Sequence, residues 1–146
     1  CYSKQMSMPT IEKENYLKAL YHFSEKREGV TVTALSKRFG VSKSTVSNML
    51  KDLVQLGLVK TQPYKPIHLT ASGEEHARMI VAKHRLIETF LVEKMGFAPN
   101  KVHEIAEELE HIKHPEFFKR MQEMVSEFSH DPHGTPIPNH NFNAEQ

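Results

Sequence analysis

The chain has 146 residues, which is enough for one or two small domains. Only 38% of the residues are hydrophobic and no apolar run approaches the length of a membrane span, so we expect no membrane segment and no membrane partner. The single cysteine, Cys1, excludes an internal disulfide and a cysteine-based zinc finger, and it favours a cytoplasmic location.

The net charge of +1 conceals an uneven distribution along the chain. Residues 31–70 carry six Lys and Arg against one Asp, a net charge of +5, whereas residues 71–146 carry eight against thirteen acidic residues, a net charge of −5. Basic surfaces attract polyanions such as DNA, and acidic surfaces with histidines attract metal cations. This asymmetry therefore predicts two different functions in the two parts of the chain.

Residues 11–27 are predicted to form the first helix, because large apolar residues recur there at helical spacing. Thr10 can cap its N-terminus, and Gly29 is suited to follow its end. Asn15 lies on this helix, from which its side chain could reach a neighbouring element.

The next stretch has the pattern of a helix-turn-helix motif. A helix over residues 33–39, a tight turn at Gly40, and a second helix over residues 43–56 are predicted. Polar groups that face outward from the second helix suit phosphates and base edges. The residues predicted to contact DNA from this helix are Ser42, Lys43, Ser44, Thr45, Ser47, Asn48 and Lys51. Helical hairpins without a DNA-binding function share this outline, so the motif alone leaves that alternative open.

Residues 58–70 alternate apolar and polar side chains at both ends and have a proline-rich tip, which predicts a β-hairpin. A helix, a helix-turn-helix and a hairpin in this order make a winged helix. Lys60, Tyr64 and Lys65 on the predicted wing are candidates for contact with the DNA backbone.

The rest of the chain is predicted to be helical, with a long helix from residue 70 to 95, a second from Pro99 to before Pro115, and a third over about 115–128. The third helix is unusually rich in large apolar residues, which predicts a dimer interface; ordinary packing on the preceding helices is the alternative. These residues are Phe117, Phe118, Met121, Met124, Val125 and Phe128.

The predicted fold class is therefore mainly α, with an N-terminal winged helix-turn-helix followed by an all-helical metal-binding and dimerisation domain. The DNA-binding domain is predicted to span residues 9–73 and the helical domain residues 74–130. Residues 131–146 are polar and rich in proline, and they are predicted to form an extended tail.

Potential metal ligands cluster on the predicted helix that contains residues 103–111. Helical geometry places His103, Glu107, Glu110 and His111 on one face, where four such groups are costly unless a cation binds them. His84 and Glu88, one turn apart on the preceding helix, offer the same ligand types. Nitrogen and oxygen ligands without sulfur suit Mn²⁺, Fe²⁺, Co²⁺ or Zn²⁺. A solvated charged face is the alternative interpretation.

Enzymatic metal sites fit the pattern poorly. Glu107 stands where the zinc-protease motif H-E-x-x-H needs its second histidine, and a di-iron bundle would need a paired Glu-x-x-His motif. The sequence also shows no separate acid or base for a hydrolase, so we predict no enzymatic activity. A winged-helix regulator that responds to a small organic ligand remains the alternative function.

The chain resembles the DtxR/MntR (diphtheria-toxin repressor) family of metal-dependent transcriptional repressors. The similar stretches occur in the same order and cover nearly the whole chain: Glu14–Tyr21, Ser42–Asn48, Lys83–Glu88, Asn100–His103, Glu107–His111 and Asp131–Pro138. The resemblance implies a homodimer that represses metal-homeostasis genes by binding double-stranded, palindromic operator DNA.

The resemblance also implies two neighbouring metal sites, one from His84, Glu88 and His103 and the other from the ligands Glu107, Glu110, His111 and Asn15. Family members that sense manganese have a carboxylate where iron sensors have a cysteine, so Glu107 implies Mn²⁺, with Fe²⁺ as the alternative and Zn²⁺ or Co²⁺ as substitutes. Two residues depart from the family pattern. Asn15 stands where Met or Asp is usual, and Lys18 stands where manganese sensors often have a carboxylate.

Overall fold

The computed structural model describes residues 10–26 and 29–125. This part of the chain forms two compact units that divide between Ala77 and Arg78. Its elements are the helices α1 (Ile11–Glu25), α2 (Val32–Phe39), α3 (Lys43–Gln55), α4 (Ala71–Met95), α5 (Val102–Leu109) and α6 (Pro115–Met124), a 3-10 turn at Pro99–Lys101, and the strands β1 (Val59–Lys60) and β2 (His68–Leu69).

This architecture confirms the predicted fold class, in which a winged helix-turn-helix precedes an all-helical domain. The proposed limits at residues 9, 73 and 130 stay predictions, and the predicted tail at 131–146 lies outside the described residues, as does Phe128. No helix in the described ranges is long and apolar enough to cross a membrane.

Hydroxyl side chains cap the first three described helices of the chain. Thr10, Thr31 and Ser42 each accept a hydrogen bond from the backbone N–H three residues later, at 3.3, 3.0 and 3.1 Å. Each cap satisfies one of the N–H groups that a helix start leaves without an intrahelical partner. The cap at Thr10 is at the predicted position, and α3 begins at Lys43, where the second helix of the motif was predicted to start.

The turn between α2 and α3 depends on Gly40, whose φ of 64° lies in the left-handed region that glycine adopts at little cost. Leu35 on α2 and Val46 and Leu53 on α3 are fully buried in the core of this unit. Tyr16 of α1 stacks on Phe39 at 4.3 Å between ring centroids. Three helices thereby share one apolar core, and the polar face of α3 remains outside it.

The wing is a short antiparallel hairpin in which Val59 pairs with Leu69 and Lys60 pairs with His68. The turn from the wing into α4 is tight. Thr70 Oγ1 donates to the Gly57 carbonyl at 2.7 Å and accepts from the Gly73 N–H at 3.0 Å. A Cβ on Gly73 would lie 1.9 Å from the Leu58 carbonyl oxygen, so only glycine permits this approach of α4 to the hairpin.

A buried carboxylate joins the first turn of α1 to the second turn of α4. Glu14 is almost completely buried, and its Oε2 lies 3.0 Å from His76 Nε2. The two residues are 62 positions apart, so no local pattern could indicate the contact.

Replacing His76 with alanine is expected to lower the free energy of unfolding by about 1–3 kcal/mol, because a buried carboxylate loses a hydrogen-bond partner. Urea denaturation monitored by circular dichroism measures the change. The matched control is His22→Ala, since His22 contacts Glu25 at 3.2 Å on the exposed surface of α1. The control should change stability by less than about 1 kcal/mol, and equal effects of both variants would contradict the structural role of His76.

The second unit packs α5 and α6 against the later part of α4. Leu86 and Ile87 of α4, Val102 and Ala106 of α5, and Phe118 of α6 are fully buried. The predicted apolar surface of the last helix divides in two: Phe118 and Met121 lie inside this core, whereas Phe117 and Met124 are exposed. Ordinary packing therefore explains only part of that set.

Candidate metal centre and nucleic-acid surface

Three potential metal ligands of the second unit converge on one point. His84 and Glu88 lie one turn apart on α4, and His103 lies in the first turn of α5. His84 Nε2 is 3.1 Å from His103 Nδ1 and 3.5 Å from Glu88 Oε2, and His103 Nδ1 is 3.6 Å from the same carboxylate oxygen. Two imidazole nitrogens and one carboxylate oxygen thus form a nearly equilateral triangle.

This triangle has the dimensions of one face of a metal coordination shell. Ligands about 2.1 Å from a divalent cation in tetrahedral or octahedral geometry lie roughly 3.0–3.5 Å from one another. The donor types suit Mn²⁺, Fe²⁺, Co²⁺ or Zn²⁺. His84, Glu88 and His103 therefore fit a divalent cation with little rearrangement.

Glu110 adds a second carboxylate behind the triangle. Its Oε2 lies 2.8 Å from His84 Nδ1, and its Oε1 lies 3.4 Å from His111 Nε2. A histidine that ligates a metal through one ring nitrogen commonly donates from the other to a carboxylate, which fixes the orientation of the ring. Glu110 is in position to orient His84 in this way, a role that the sequence analysis did not foresee.

The carboxylates of Glu88 and Glu110 shift the pKa of His84. Burial by itself lowers the pKa of His84, but the hydrogen bonds and charges of Glu110 and Glu88 outweigh it and raise the pKa to about 9. A proton on His84 thus offsets part of the negative charge of the two buried carboxylates. A divalent cation at the triangle would supply the same compensation.

The predicted single face over residues 103–111 is divided in the structure, because α5 ends at Leu109. Glu110 and His111 lie in the following turn, with Glu110 buried. Their side chains are nearly inaccessible, whereas those of His103 and Glu107 are 62% and 53% exposed. A helical wheel assumes a continuous helix, so it could not reveal this separation of a buried pair from an exposed pair.

The remaining predicted ligands occupy different surroundings. Glu107 Oε1 lies 3.0 Å from His103 Nε2, so Glu107 extends the cluster on its exposed side. Asn15 belongs to the first unit, on α1, where its side chain is partly buried. The structure thus brings together His84, Glu88, His103 and Glu110, with Glu107 and His111 each contacting one member.

The residues predicted to contact DNA lie on α3 and on the wing. Nine of the ten are exposed, and Ser47 is partly buried. The Ser42 hydroxyl lies 3.1 Å from that of Ser44 and 2.8 Å from that of Thr45, so a compact hydroxyl group marks the start of α3. The exposed set comprises Ser42, Lys43, Ser44, Thr45, Asn48, Lys51, Lys60, Tyr64 and Lys65.

Two known sequence families match the chain. Residues 8–67 match the iron dependent repressor, N-terminal DNA binding domain, and residues 70–139 match the iron dependent repressor, metal binding and dimerisation domain. The two matches place a DNA-binding function in the first part of the chain and a metal-binding and dimerisation function in the second.

Individual relatives agree with these matches. An uncharacterized HTH-type transcriptional regulator of Methanocaldococcus jannaschii is 37% identical over 116 residues, which cover 79% of this chain and 93% of the relative. The diphtheria toxin repressor of Corynebacterium diphtheriae is 33% identical over 127 residues, or 86% of this chain. The chain spans only 55% of the length of that repressor.

Solved structures show the same architecture. A manganese-dependent transcriptional repressor in complex with manganese superposes with a TM-score of 0.78 at 37% identity, covering 87% of this chain and 58% of the solved one. These matches identify a regulator rather than an enzyme and do not favour a sensor of a small organic ligand. The chain belongs to the DtxR/MntR family of metal-dependent, DNA-binding transcriptional repressors.

Proposed function

We propose that this chain is a cytoplasmic repressor that binds operator DNA as a homodimer when Mn²⁺ is present, and so controls genes of metal-ion homeostasis. The observation that carries this proposal is the triangle formed by His84, Glu88 and His103, whose three donor atoms lie 3.1–3.6 Å apart. Its nitrogen and oxygen donors would hold a divalent cation. The match to a repressor family supports a signalling role for that cation.

A second metal site is proposed from Glu107, Glu110, His111 and Asn15, as the family resemblance implies. Glu110 supports a close relation between the two sites, since its carboxylate contacts both His84 and His111. Glu107 supplies a hard oxygen ligand, which favours Mn²⁺, with Fe²⁺ as the alternative and Zn²⁺ or Co²⁺ as substitutes. A bound cation would neutralise part of the acidic charge that repels phosphate.

The proposed dimer surface is the apolar groove beside α6. It has a volume of about 510 Å³, and Phe117 and Met124 expose large apolar surfaces to it. Its other apolar lining residues include Phe90, Met95, Leu109 and Met121. A symmetric dimer presents two copies of α3, which suits a palindromic operator with half-sites about one helical turn apart or a multiple of it.

The test is a fluorescence-anisotropy titration of DNA duplexes that were selected from a random library with the Mn²⁺-loaded protein. We expect the affinity for the selected duplex to rise at least about tenfold when Mn²⁺ is added, since coupling between two sites is typically 5- to 150-fold. Parallel titrations with Fe²⁺ under anaerobic conditions and with Zn²⁺ rank the metals. DNA binding that is independent of all three metals would refute the proposal.

A further inference from the structure

Two methionines of the second unit present more than half of their surface to solvent. Met95 at the end of α4 is 59% exposed, and Met124 at the end of α6 is 53% exposed. The other methionines in the described ranges, Met49, Met79 and Met121, are partly or almost completely buried. Because an apolar side chain stabilises a fold through burial, Met95 and Met124 contribute little to the fold of a single protomer.

Both exposed methionines line the apolar groove beside α6, although they belong to different helices. Met121 lines it as well, so three of the ten described residues around this groove are methionines. Methionine is flexible and its thioether is polarizable, which suits a surface that packs against another apolar surface. The groove thus combines an apolar binding surface with methionines that solvent reaches in the single protomer.

A methionine that solvent reaches is open to oxidation by hydrogen peroxide. The sulfur lone pair attacks one peroxide oxygen, so an S–O bond forms while the O–O bond breaks. The transferred hydroxyl gives its proton to the departing hydroxide, which leaves as water, and the sulfur has lost two electrons to the peroxide. The product, methionine sulfoxide, is polar and disrupts interfaces that are rich in methionine.

We propose that Met95 and Met124 are a peroxide-sensitive modification site and that their oxidation prevents two protomers from associating through the groove. This inference rests on the proposed function, which takes the groove as the dimer surface. The modification acts on the separated protomer, because association covers the groove. Each polar group buried without a hydrogen bond weakens association about 5- to 150-fold, so the dimer dissociation constant should rise at least about tenfold.

The first experiment treats the whole chain, diluted so that protomers are separate, with hydrogen peroxide and then removes the peroxide with catalase. Peptide mass spectrometry locates the added oxygen atoms, and sedimentation equilibrium in Mn²⁺ gives the dimer dissociation constant before and after treatment. Wild-type protein should gain oxygen first at Met95 and Met124 and associate at least about tenfold more weakly. Methionine sulfoxide reductases for both epimers should restore association.

Two variants are each compared with their own untreated form. Met95→Leu/Met124→Leu keeps both side chains apolar but removes both sulfur atoms, so peroxide should not change its dissociation constant. Met79→Leu removes a partly buried methionine outside the groove and should respond like the wild type. Both variants retain Cys1, so thiol oxidation cannot account for a difference between them.

Four results would overturn the inference. They are a double variant that responds to peroxide like the wild type, a wild type that carries both sulfoxides and still associates normally, oxidation of other methionines first, and a loss of helix content by circular dichroism in step with oxidation. The last result would mean that oxidation damages the fold rather than the surface.

A second measurement tests whether a second copy of the chain covers the groove. At protein concentrations above the dimer dissociation constant, oxidation of Met95 and Met124 should slow in proportion to the fraction of dimer, whereas oxidation of Met79 should not change. Equal rates for the two groove methionines at high and low concentration would contradict the inference.

These outcomes are separable from failure of the proposed function. If untreated wild-type protein forms no dimer in Mn²⁺, the proposed function fails, and the oxidation site fails with it. If the untreated wild type associates and binds DNA as proposed, and oxidation of Met95 and Met124 changes neither, only the further inference fails.

Discussion

Replacing His103 with alanine is expected to reduce the affinity for Mn²⁺ by about 100-fold or more and to abolish the response of DNA binding to the metal. His103 supplies one of the three converging donor atoms. Replacing a residue that only hydrogen-bonds to a metal ligand typically lowers metal affinity about 10- to 100-fold, so replacing a ligand should lower it at least as much. Its side chain is 62% exposed, so its removal leaves the core of the second unit intact.

Two measurements separate the loss of the metal from a loss of fold. Isothermal titration calorimetry gives the affinity for Mn²⁺, and circular dichroism gives the helix content and the unfolding midpoint. The control is His114→Ala, which removes an exposed histidine of the same unit that lies outside the metal cluster. If the His103 variant binds Mn²⁺ as tightly as the wild type does, His103 is not a metal ligand.

Replacing Asn48 with alanine is expected to weaken binding to the selected operator about 5- to 150-fold, because a bidentate amide–adenine contact contributes about 1–3 kcal/mol of discrimination. Asn48 is exposed on α3, two residues after the buried Val46, and the fold does not need its side chain. Binding to a duplex of shuffled sequence should hardly change, so the ratio of the two affinities should fall.

The comparison variant for Asn48 is Lys51→Ala. Lys51 lies one turn after Asn48 on α3 and lines the cleft between α3 and the wing. A phosphate contact carries no base preference, so this variant should weaken binding to both duplexes by the same factor. Anisotropy titrations of the wild type and both variants, at fixed Mn²⁺ and salt concentrations, provide the six affinities for the two duplexes. An Asn48 variant that weakens both duplexes equally would contradict a role in reading bases.

The metal cluster also bears on how the second unit is held together. Glu88 and Glu110 are both buried, and both lie within 3.5 Å of His84, which keeps two negative charges close to one ring. Buried carboxylates are costly unless hydrogen bonds or cations compensate them. The same arrangement that makes the site ready for a divalent cation therefore makes His84 important for packing α4 against the turn after α5.

Local sequence patterns determined much of the first unit. The helix caps, Gly40 and the apolar spacing of α3 act over a few residues, so the helix-turn-helix could be predicted without tertiary information. The pairing of His84 with Glu88 is likewise local, because residues four apart share a face of a helix. The types of metal ligand and most of the proposed DNA-binding surface were therefore accessible from the sequence.

Only the tertiary structure decided how those residues combine. The contacts of His84 with Glu110 and of His76 with Glu14 join residues 26 and 62 positions apart, and they depend on how helices pack rather than on any sequence period. The end of α5 at Leu109 turned one predicted face into a buried and an exposed pair. The positive φ of Tyr64, 62°, likewise became visible only from the backbone conformation of the wing, because residue type alone does not determine a dihedral angle.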